Sequence, residues 1–506
     1  MKKLFLLLTL LIPLVLFAQM ADSTKTFSMG GAAGTISLNG INYSEIRLMP
    51  ELGFGKFGIG LDVDLLIDEN GNVRKKDWDE PEDYINKIYY VRFGHRGDPF
   101  FAKIGGFPNY TLGHGLIMNN YSNMLKYPDV KHIGVQLGGI LPFFNTNLEV
   151  FSSDISKNNI LGGHVTTSLL SSTGIPLLEN LTFGGTFVTD RNQYAGINDE
   201  DGDGYPDVFD AFPNNKNYYV DTDNDGIPDF DANGNYIDAD LNNNNVVDYN
   251  WAHSHYDSTF VNAGEEFGYW DHNAVSKHLH KYDEKDAIFI AGANYELPLI
   301  TGDSFKLSNY GEIAKIMDHS YGFIFPGFYS KFLIFDMNLE FRHYDDDFAA
   351  SFFDNLYDEN RAIVVGDTIL TKESFIENSK KSTGWYGSIT SNIFNTLFLT
   401  VSYQDMYGDD IKNGKSIWAT TYLKKDIIPK LQVAQISYSQ TDMKNVLKDF
   451  KTPSTLIDGR IGYGLSSNTV LVYNFKERFV DFDGNNKING KKETLKTFGF
   501  GVEFKF

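Results

Sequence analysis

The sequence predicts an all-β fold: a transmembrane antiparallel β-barrel of about 18–20 strands, within the range of large single-chain barrels, with a long extracellular insertion. Three observations predict it. Segments of alternating apolar and polar residues recur along the chain, the connections between them are alternately short and long, and the last segment ends on an aromatic residue. A period of two gives a strand one apolar and one polar face, as a wall between lipid and water requires.

The last segment, residues 497–506, carries the alternation most clearly. Its apolar face consists of Phe498, Phe500, Val502, Phe504 and Phe506, and its other face is small or charged. A chain that ends on Phe506 resembles the bacterial outer-membrane β-barrels, in which the assembly machinery recognises this closing strand. The resemblance implies that the barrel assembly machinery is a partner and that outer-membrane lipid surrounds the barrel.

Nineteen segments alternate in this way, and a weaker one at 30–38 makes twenty. The nineteen are 43–52, 57–66, 88–95, 101–107, 132–141, 148–153, 164–171, 181–189, 287–297, 305–316, 321–328, 332–343, 385–393, 397–404, 417–423, 431–439, 457–465, 470–475 and 497–506. Single-chain bacterial barrels have an even number of strands. The weaker segment is therefore predicted to be a strand.

The connections between the segments predict the orientation. Short ones lie at 97–99, 394–396 and 466–468, and long polar ones lie at 68–83, 345–381, 441–453 and 481–492. Outer-membrane barrels have short periplasmic turns and longer extracellular loops. Counting strands from either end of the chain puts the long connections, and the insertion that opens at residue 190, outside the cell.

Composition and the N-terminus predict an exported protein. Two lysines precede an apolar run at 4–17, and Ala18-Gln19 offers a cleavage point, so residues 1–18 have the build of a signal peptide. The chain has no Cys, which excludes disulfides and attachment of lipid through Cys. The net charge of −22 argues against nucleic acid as a partner. The expected parts are 19–189 and 284–506 for the barrel and 190–283 for the insertion.

The insertion contains a candidate calcium loop. Residues 199–248 hold 14 acidic residues and one base, Lys216. Positions 1, 3, 5, 9 and 12 of a twelve-residue loop are Asp199, Asp201, Asp203, Asp207 and Asp210, with Gly204 at position 6 and the Tyr205 carbonyl at position 7. Oxygens at these positions converge on one hard cation, and Gly permits the sharp turn. The sequence therefore predicts calcium as a cofactor.

Further copies of the loop follow, each less complete. The second has Asp221, Asp223, Asp225 and Asp229, with Ala232 in place of the last acid; the third has Asp229, Asp231, Asn233 and Asp240; a weak fourth runs from Asp240 through Asn242 and Asn244 to Asp248. The run resembles thrombospondin type 3 repeats, except that Phe209 and Phe212 stand where that family carries Cys. The resemblance implies calcium binding. The alternative is a solvated acidic loop without metal.

The histidines of the chain are candidate metal ligands and candidate catalytic groups. Alternating pairs among His253, His255, His272, His278 and His280 are a possible zinc site, although ordinary polar loop histidines are the favoured interpretation. His95, His114, His164 and His319 are candidates for a membrane-embedded hydrolase, but the chain has no G-x-S-x-G, P-loop or H-E-x-x-H motif. We therefore expect no enzyme. The Gly113-His114-Gly115 segment is expected to belong to a plain surface loop rather than to a constriction inside the barrel.

Two functions fit these observations. In the first, the barrel is a porin-like channel or transporter for an unknown solute and carries a calcium-stabilised surface loop. In the second, the barrel is an anchor that displays a surface module for adhesion or for binding a surface ligand. The shortness of the chain before the first strand argues against a receptor with an N-terminal plug.

Overall fold

A computed structural model describes residues 25–505, with gaps at 39–40, 80–82, 85–86, 108, 126–131, 156, 158, 176, 198, 200, 232, 273–285, 366–367, 412–413, 426, 446–449, 467–468, 480–487 and 489–492. The predicted signal peptide, Phe506, His278, His280 and Ala232 lie outside the described residues.

The described chain is dominated by strands, of which 21 belong to one sheet. They are β1 (Lys25–Leu38), β2 (Ile41–Phe54), β3 (Phe57–Leu61), β4 (Val63–Ile67), β5 (Ile88–Phe93), β6 (Phe100–Gly105), β7 (Gly134–Ile140), β8 (Asn147–Ser152), β9 (Ile160–Thr167), β10 (Thr182–Asp190), β11 (Ile288–Thr301), β12 (Phe305–Ile316), β13 (Tyr321–Phe332), β14 (Phe335–Tyr344), β17 (Ser382–Ile393), β18 (Leu397–Tyr407), β19 (Lys415–Leu423), β20 (Leu431–Met443), β21 (Thr455–Gly464), β22 (Thr469–Phe479) and β23 (Thr494–Lys505). Between β14 and β17, β15 (Ala362–Val365) and β16 (Thr368–Thr371) form a separate hairpin.

The sheet closes on itself. Strand β1 pairs antiparallel with β2 along its whole length and with β23 over Gly30–Ala33, opposite Val502–Lys505. Strands β3 and β4 both pair with β2, on either side of Asp62, so they are two halves of one strand. Among the described residues the barrel therefore has twenty strand positions. The predicted all-β antiparallel barrel and its even strand number are confirmed.

Both ends of the predicted strand series are confirmed. The weak segment at 30–38 forms most of β1, and the closing segment forms β23, which pairs with β22 on one side and β1 on the other. Without the pairing of β1 with β23, the free edges of these two strands would carry unpaired backbone N–H and C=O groups, which cannot be satisfied in hydrocarbon. Closure removes these edges.

Apolar side chains face outward and polar ones inward. Along β14, Leu339 and Phe341 are 56% and 43% exposed, whereas Glu340 between them is 5% exposed. The same inversion of a soluble core recurs around the sheet: exposed apolar residues include Ile46, Phe93, Ile104, Leu137, Phe187, Phe289, Ile313, Ile389, Ile436, Ile461, Phe498 and Phe500, and buried polar ones include Gln136, Glu149, Thr186, Ser308, Glu312, Ser388, Ser402, Asp405, Ser416 and Gln440. The barrel thus has an apolar exterior and a polar interior.

The connections follow the predicted alternation. Because successive strands are antiparallel, β5, β17 and β21, which precede the predicted short connections, finish at one end of the sheet, and β4, β14, β20 and β22, which precede the predicted long ones, finish at the other. The connection from β10 to β11 also starts at the second end. No helix among the described residues combines the length and hydropathy needed to cross a membrane.

A second compact unit comprises Asp190–Ile288 together with Asp358–Phe375. It contains helices α1 (Tyr249–His255) and α2 (Ser258–Phe267), and a short helix α3 (Tyr357–Asn360) enters its second segment. In the described residues of both units together, 3-10 turns lie at Lys75–Asp77, Leu178–Asn180, Gln193–Gly196 and Glu373–Asn378. The second unit has its own small core, which includes Val220, Phe230, Leu241, Ala252 and Val261. The sequence did not assign the second segment to this unit.

A buried ion pair joins the two segments of the second unit. The guanidinium of Arg361 donates from Nε and Nη2 to the two carboxylate oxygens of Asp190, at 2.6 and 2.8 Å, and Nη2 also donates to the Asn192 carbonyl at 2.8 Å. The Asp190 side chain is fully buried and that of Arg361 is 8% exposed. A bidentate pair of this kind fixes the relative orientation of its two elements.

Candidate functional sites in the barrel interior and the acidic loops

The connection between β6 and β7 folds into the barrel. Its side chains Leu112, Leu116, Ile117 and Met118 are almost completely buried. Ile117 packs over Gly292 of β11, where an added Cβ would lie 3.0 Å from Ile117 Cδ1. The expectation of a plain surface loop around His114 is therefore wrong. Sequence pattern could not reveal this, because the partners of the loop are backbone groups and side chains almost 200 residues away.

Glu312 on β12 holds the loop in place. Its Oε2 accepts hydrogen bonds from the backbone N–H groups of His114 and Leu116, both at 3.1 Å, and the side chain is 3% exposed. Of the two glycines that flank His114, Gly113 has a φ of +56°, and a Cβ atom added there would lie 2.5 Å from Glu312 Oε1. Only Gly suits a left-handed backbone this close to the carboxylate.

A second connection supports the loop. In the β14–β17 connection, the Ser351 N–H donates to the Leu116 carbonyl at 2.7 Å and the Ser351 hydroxyl donates to the Gly115 carbonyl at 2.8 Å. Phe353 N–H then donates to Ile117 O at 3.1 Å, and Asn119 N–H to Phe353 O at 3.0 Å. Two long connections from the same end of the sheet thus form a paired inner layer, which we call the constriction.

Beside the constriction lies a polar cavity of about 250 Å³. The His114 ring stacks on Tyr310 at 4.3 Å between ring centroids. The Tyr310 hydroxyl donates to Glu340 Oε1 at 2.6 Å, and Arg342 donates to Glu340 Oε2 at 2.6 Å. The remaining lining residues are Glu296, Tyr329 and Asn338.

The same loop contacts polar groups near its own flanking strands, on β8 and just before β6. Glu149 on β8 accepts from the Tyr110 hydroxyl at 2.6 Å and from Arg96 Nε at 3.0 Å. Arg96 also donates to the Thr111 carbonyl at 2.7 Å. Paired acids and bases line this part of the interior, which is an environment for hydrated polar solutes rather than for apolar ones.

The first acidic loop gathers its carboxylates as the spacing predicts. Oxygen atoms of Asp199, Asp201 and Asp203 lie within 4.8 Å of one another. The turn is held by N–H groups that donate to Asp199: Gly202 to Oδ1 at 2.8 Å and Gly204 to Oδ2 at 3.1 Å. Gly204 has φ +95°, so Gly is required at position 6.

The position-12 carboxylate of this loop is buried, whereas the other carboxylates of the loop are more exposed. Asp210 is 9% exposed, and its Oδ2, like that of Asp201, is buried without a hydrogen-bond partner. Burial, opposed by the hydrogen bond from the Phe212 N–H and reinforced by the charges of Asp203, Asp201 and Asp207, raises the pKa of Asp210 to about 6. Buried carboxylate oxygens without donors, close to further carboxylates, are the donor set of a hard divalent cation.

The second loop brings together three of its predicted ligands. Asp221, Asp223 and Asp225 have oxygens within 4.8 Å of one another. The two oxygens of Asp229, the fourth predicted ligand, accept from the N–H and the hydroxyl of Thr222, at 3.0 and 2.6 Å. Asp238, which the sequence did not single out, is 5% exposed with a buried Oδ2 that has no partner.

Asp238 and the carboxylates of the second loop influence one another's pKa. Burial raises its pKa, and the carboxylates of Asp225 and Asp229 raise it further. The pKa of Asp223 is raised by burial and then by Asp225, Asp238 and Asp221. Asp238, with its buried Oδ2 that has no hydrogen-bond partner, is therefore a candidate for the last acid of this loop, whose twelfth position is Ala232 in the sequence. Because it lies six residues beyond that position, a fixed spacing could not identify it.

In the third register, the predicted ligand oxygens accept hydrogen bonds from nearby N–H and amide groups. Asp231 forms a local turn, accepting from the N–H groups of Asn233 and Asn235 at 2.9 and 2.8 Å and from the Asn235 amide at 2.8 Å, and these bonds from Asn235 lower its pKa. Asp240 accepts instead from Asn244 and Asn245 further along the chain. The oxygens of this register are thus directed at separate sets of donors.

The described histidines of the insertion pack against aromatic rings. His255 stacks on Trp251 at 4.3 Å, and His253 and His272 both contact Tyr249, at 5.3 and 4.7 Å between centroids. Within the described part of the insertion, the grouped metal-ligand atoms belong to aspartates and not to these histidines.

No protein-family model matches the chain, and no curated protein matches it. Distant similarity to solved structures spans nearly the whole chain. OprD from Pseudomonas aeruginosa is 7% identical with a TM-score of 0.33, over 96% of this chain and 95% of that one. The siderophore receptor PirA from Pseudomonas aeruginosa is 8% identical with a TM-score of 0.37, over 95% and 80%. OmpT, an outer membrane protein of Vibrio cholerae, is 7% identical with a TM-score of 0.24, over 96% and 98%. The pairing of the strands by itself shows the closed barrel.

Proposed function

We propose that this chain is an outer-membrane channel or transporter for small polar solutes. The observation that carries the proposal is the constriction: two connections fold into a closed barrel with a polar interior, Glu312 holds the first there, and the first holds the second. A barrel that served only as an anchor would not need a loop fixed inside it. A loop held in this way narrows the path and presents polar side chains to a solute.

The outer membrane is the environment that suits the exterior. Side chains such as Phe187, Phe289 and Phe500 are 40–68% exposed on the outer face of the sheet. Contact with hydrocarbon makes this exposure favourable, whereas water would not. The signal-peptide pattern agrees with export to that membrane. In this orientation, the long connections and the insertion face the outside of the cell.

We further propose that the insertion binds calcium at two of its predicted loops. The first site would use Asp199, Asp201, Asp203, Asp207, Asp210 and the Tyr205 carbonyl, and the second Asp221, Asp223, Asp225 and Asp238. All are oxygen donors, which suit a hard cation, and each set includes buried oxygens without donors. Asp229 and Asp231, whose oxygens accept from Thr222 and Asn235, stay predictions from the sequence.

Planar-bilayer recording tests the channel proposal. Purified protein reconstituted into a bilayer should give discrete conductance steps. Protein that is folded, as judged by its heat-modifiable mobility on gels, but that gives no steps would overturn the channel proposal. The second candidate function, a barrel that displays a surface module, would then be favoured, because the second unit has its own core and buried ion pair.

A further inference from the structure

The loop at residues 240–248 has the same backbone arrangement as the two acidic loops described above. The N–H of Asn245 donates to Asp240 Oδ2 at 2.6 Å, as Gly204 and Gly226 donate to Asp199 and Asp221. The Val246 N–H donates to Asn244 Oδ1 at 2.7 Å, matching the position-7 contact of both other loops. Asn245 even takes the left-handed backbone of the glycine position, with φ +67°.

In sequence this loop lacks its last acid, because position 12 is Trp251. The structure brings Asp271 to it. Asp271 N–H donates to the Val247 carbonyl at 3.0 Å, and Tyr249 N–H donates to the Asp271 carbonyl at 3.2 Å. The Asn242 amide is 2.6 Å from Asp271 Oδ2, and the Asn244 amide contacts the same oxygen. The Asp271 carboxylate is therefore fixed against the loop by backbone pairing.

A buried oxygen without a donor points independently to a cation. Asp248 is completely buried. Its Oδ1 caps helix α1, accepting from Asn250 N–H at 2.7 Å, but its buried Oδ2 has no hydrogen-bond partner. Such an oxygen is costly unless something positive meets it. The nearby charges are negative: Asp271 and Asp240, after burial itself, raise the pKa of Asp248.

We propose that Asp240, Asn242, Asn244, the Val246 carbonyl, Asp248 and Asp271 form a third calcium site. The Asn242 side chain offers its oxygen once its amide is turned about its last bond, which exchanges its nitrogen for its oxygen in the same place. Asn244 keeps its amide as it stands, and its Oδ1 takes the place of the Asp203 and Asp225 Oδ1 atoms in the other two loops. Three carboxylates and three neutral oxygens suit calcium rather than zinc or copper, which prefer nitrogen and sulfur. The proposal rests on the calcium binding proposed above but uses different residues.

The ligand from Asp271 gives this site a structural role that the other two lack. Helices α1 and α2 lie between Asp248 and Asp271, so a cation held by both would close the segment that contains them. Binding by groups distant in sequence stabilises the folded arrangement over the unfolded one.

Calcium stoichiometry of the full chain tests the proposal. Detergent-solubilised protein would be equilibrated with calcium, and bound calcium per chain would be measured by mass spectrometry of the metal. We expect three ions for the natural chain and two for Asp271→Asn. Asp248→Asn keeps the helix-capping oxygen and should also bind two. Glu266→Gln removes an exposed charge on α2 and should still bind three.

The outcomes separate the third site from the calcium proposal as a whole. Two ions in the natural chain, with no change in Asp271→Asn, would overturn the third site and leave the first two standing. No bound calcium at all would overturn both proposals. Three ions in both the natural chain and Asp271→Asn would overturn the ligand role of Asp271. Heat-modifiable gel mobility checks that each variant keeps a folded barrel.

Discussion

At the residue scale, the constriction depends on one carboxylate. Glu312 receives two backbone N–H groups of the loop, and Gly113 is the residue that lets the loop approach it. An inner-wall acid that binds backbone rather than a basic side chain positions a segment instead of neutralising a charge. This separates Glu312 from Glu149 and Glu340, whose partners include Arg96 and Arg342.

We expect Glu312→Ala to release the loop and raise single-channel conductance. Each hydrogen bond to a charged acceptor contributes about 1.5–3 kcal/mol, and two are lost. Conductance should also become noisier because the loop samples several positions. Glu45→Ala, which removes an acid from β2, should leave the noise unchanged. A conductance that is the same in Glu312→Ala and the natural chain would contradict the role of Glu312.

Arg361 is the second residue on which much depends. Arg361→Ala leaves Asp190 buried without its partner, and breaking a buried pair costs about 3–5 kcal/mol. We expect the second unit to become sensitive to protease, measured by the rate of cleavage within residues 190–288. Lys381→Ala breaks an exposed pair with Asp345, whose expected contribution is about 0–1 kcal/mol. Equal cleavage rates in the two variants would argue against a structural role for the Arg361 pair.

At the scale of the strand, neighbouring residues face different solvents. On β17, Ile389 is 49% exposed on the outer face, whereas Thr390 bonds to Thr400 on the other side of the sheet. This inside-out alternation explains why a barrel with so many Phe side chains has a polar interior. A charged side chain should therefore be tolerated on the inner face of a strand but not on its outer face.

We expect Ile389→Arg to impair assembly and Thr390→Arg to be tolerated. A charge on the lipid face near the bilayer centre costs about 2–4 kcal/mol, while the inner face is polar. The fraction of heat-modifiable protein recovered after folding into lipid vesicles measures the difference. Better recovery of Ile389→Arg than of Thr390→Arg would show that the two faces have been assigned the wrong way round.

At the scale of the whole molecule, the chain consists of two units with separate cores. The barrel is held by strand pairing and an apolar exterior, and the second unit by a small core, one buried ion pair and clustered carboxylates. Carboxylates at this density repel one another, so the second unit should depend on ions in a way that the barrel does not.

Removal of calcium should therefore affect one unit and not the other. A ligand present at about 100 times its dissociation constant stabilises a fold by about 2.7 kcal/mol. With chelator, we expect rapid cleavage within residues 190–288. Added calcium should restore resistance to the protease, and added magnesium should not. The heat-modifiable mobility of the barrel should stay unchanged. Protease resistance that is the same with and without chelator would count against calcium binding by the insertion.

The sequence by itself determined the barrel, because the features that define it are local. Alternation along each segment, as in 497–506, reports which face meets lipid, and even parity supports the weak strand at 30–38. The carboxylate groups at Asp199 and Asp221 were also predictable, because one short loop supplies most of their oxygens. Local spacing is sufficient where the interacting groups are a few residues apart.

Only the tertiary structure decided which distant groups meet. The loop around His114 lies inside because of Glu312, almost 200 residues later, and the segment 358–375 joins the second unit through Arg361. Asp238 and Asp271 reach their loops from outside the twelve-residue spacing. Hydrogen bonds and ion pairs form between groups that the fold brings together, and no periodicity in the sequence records those contacts.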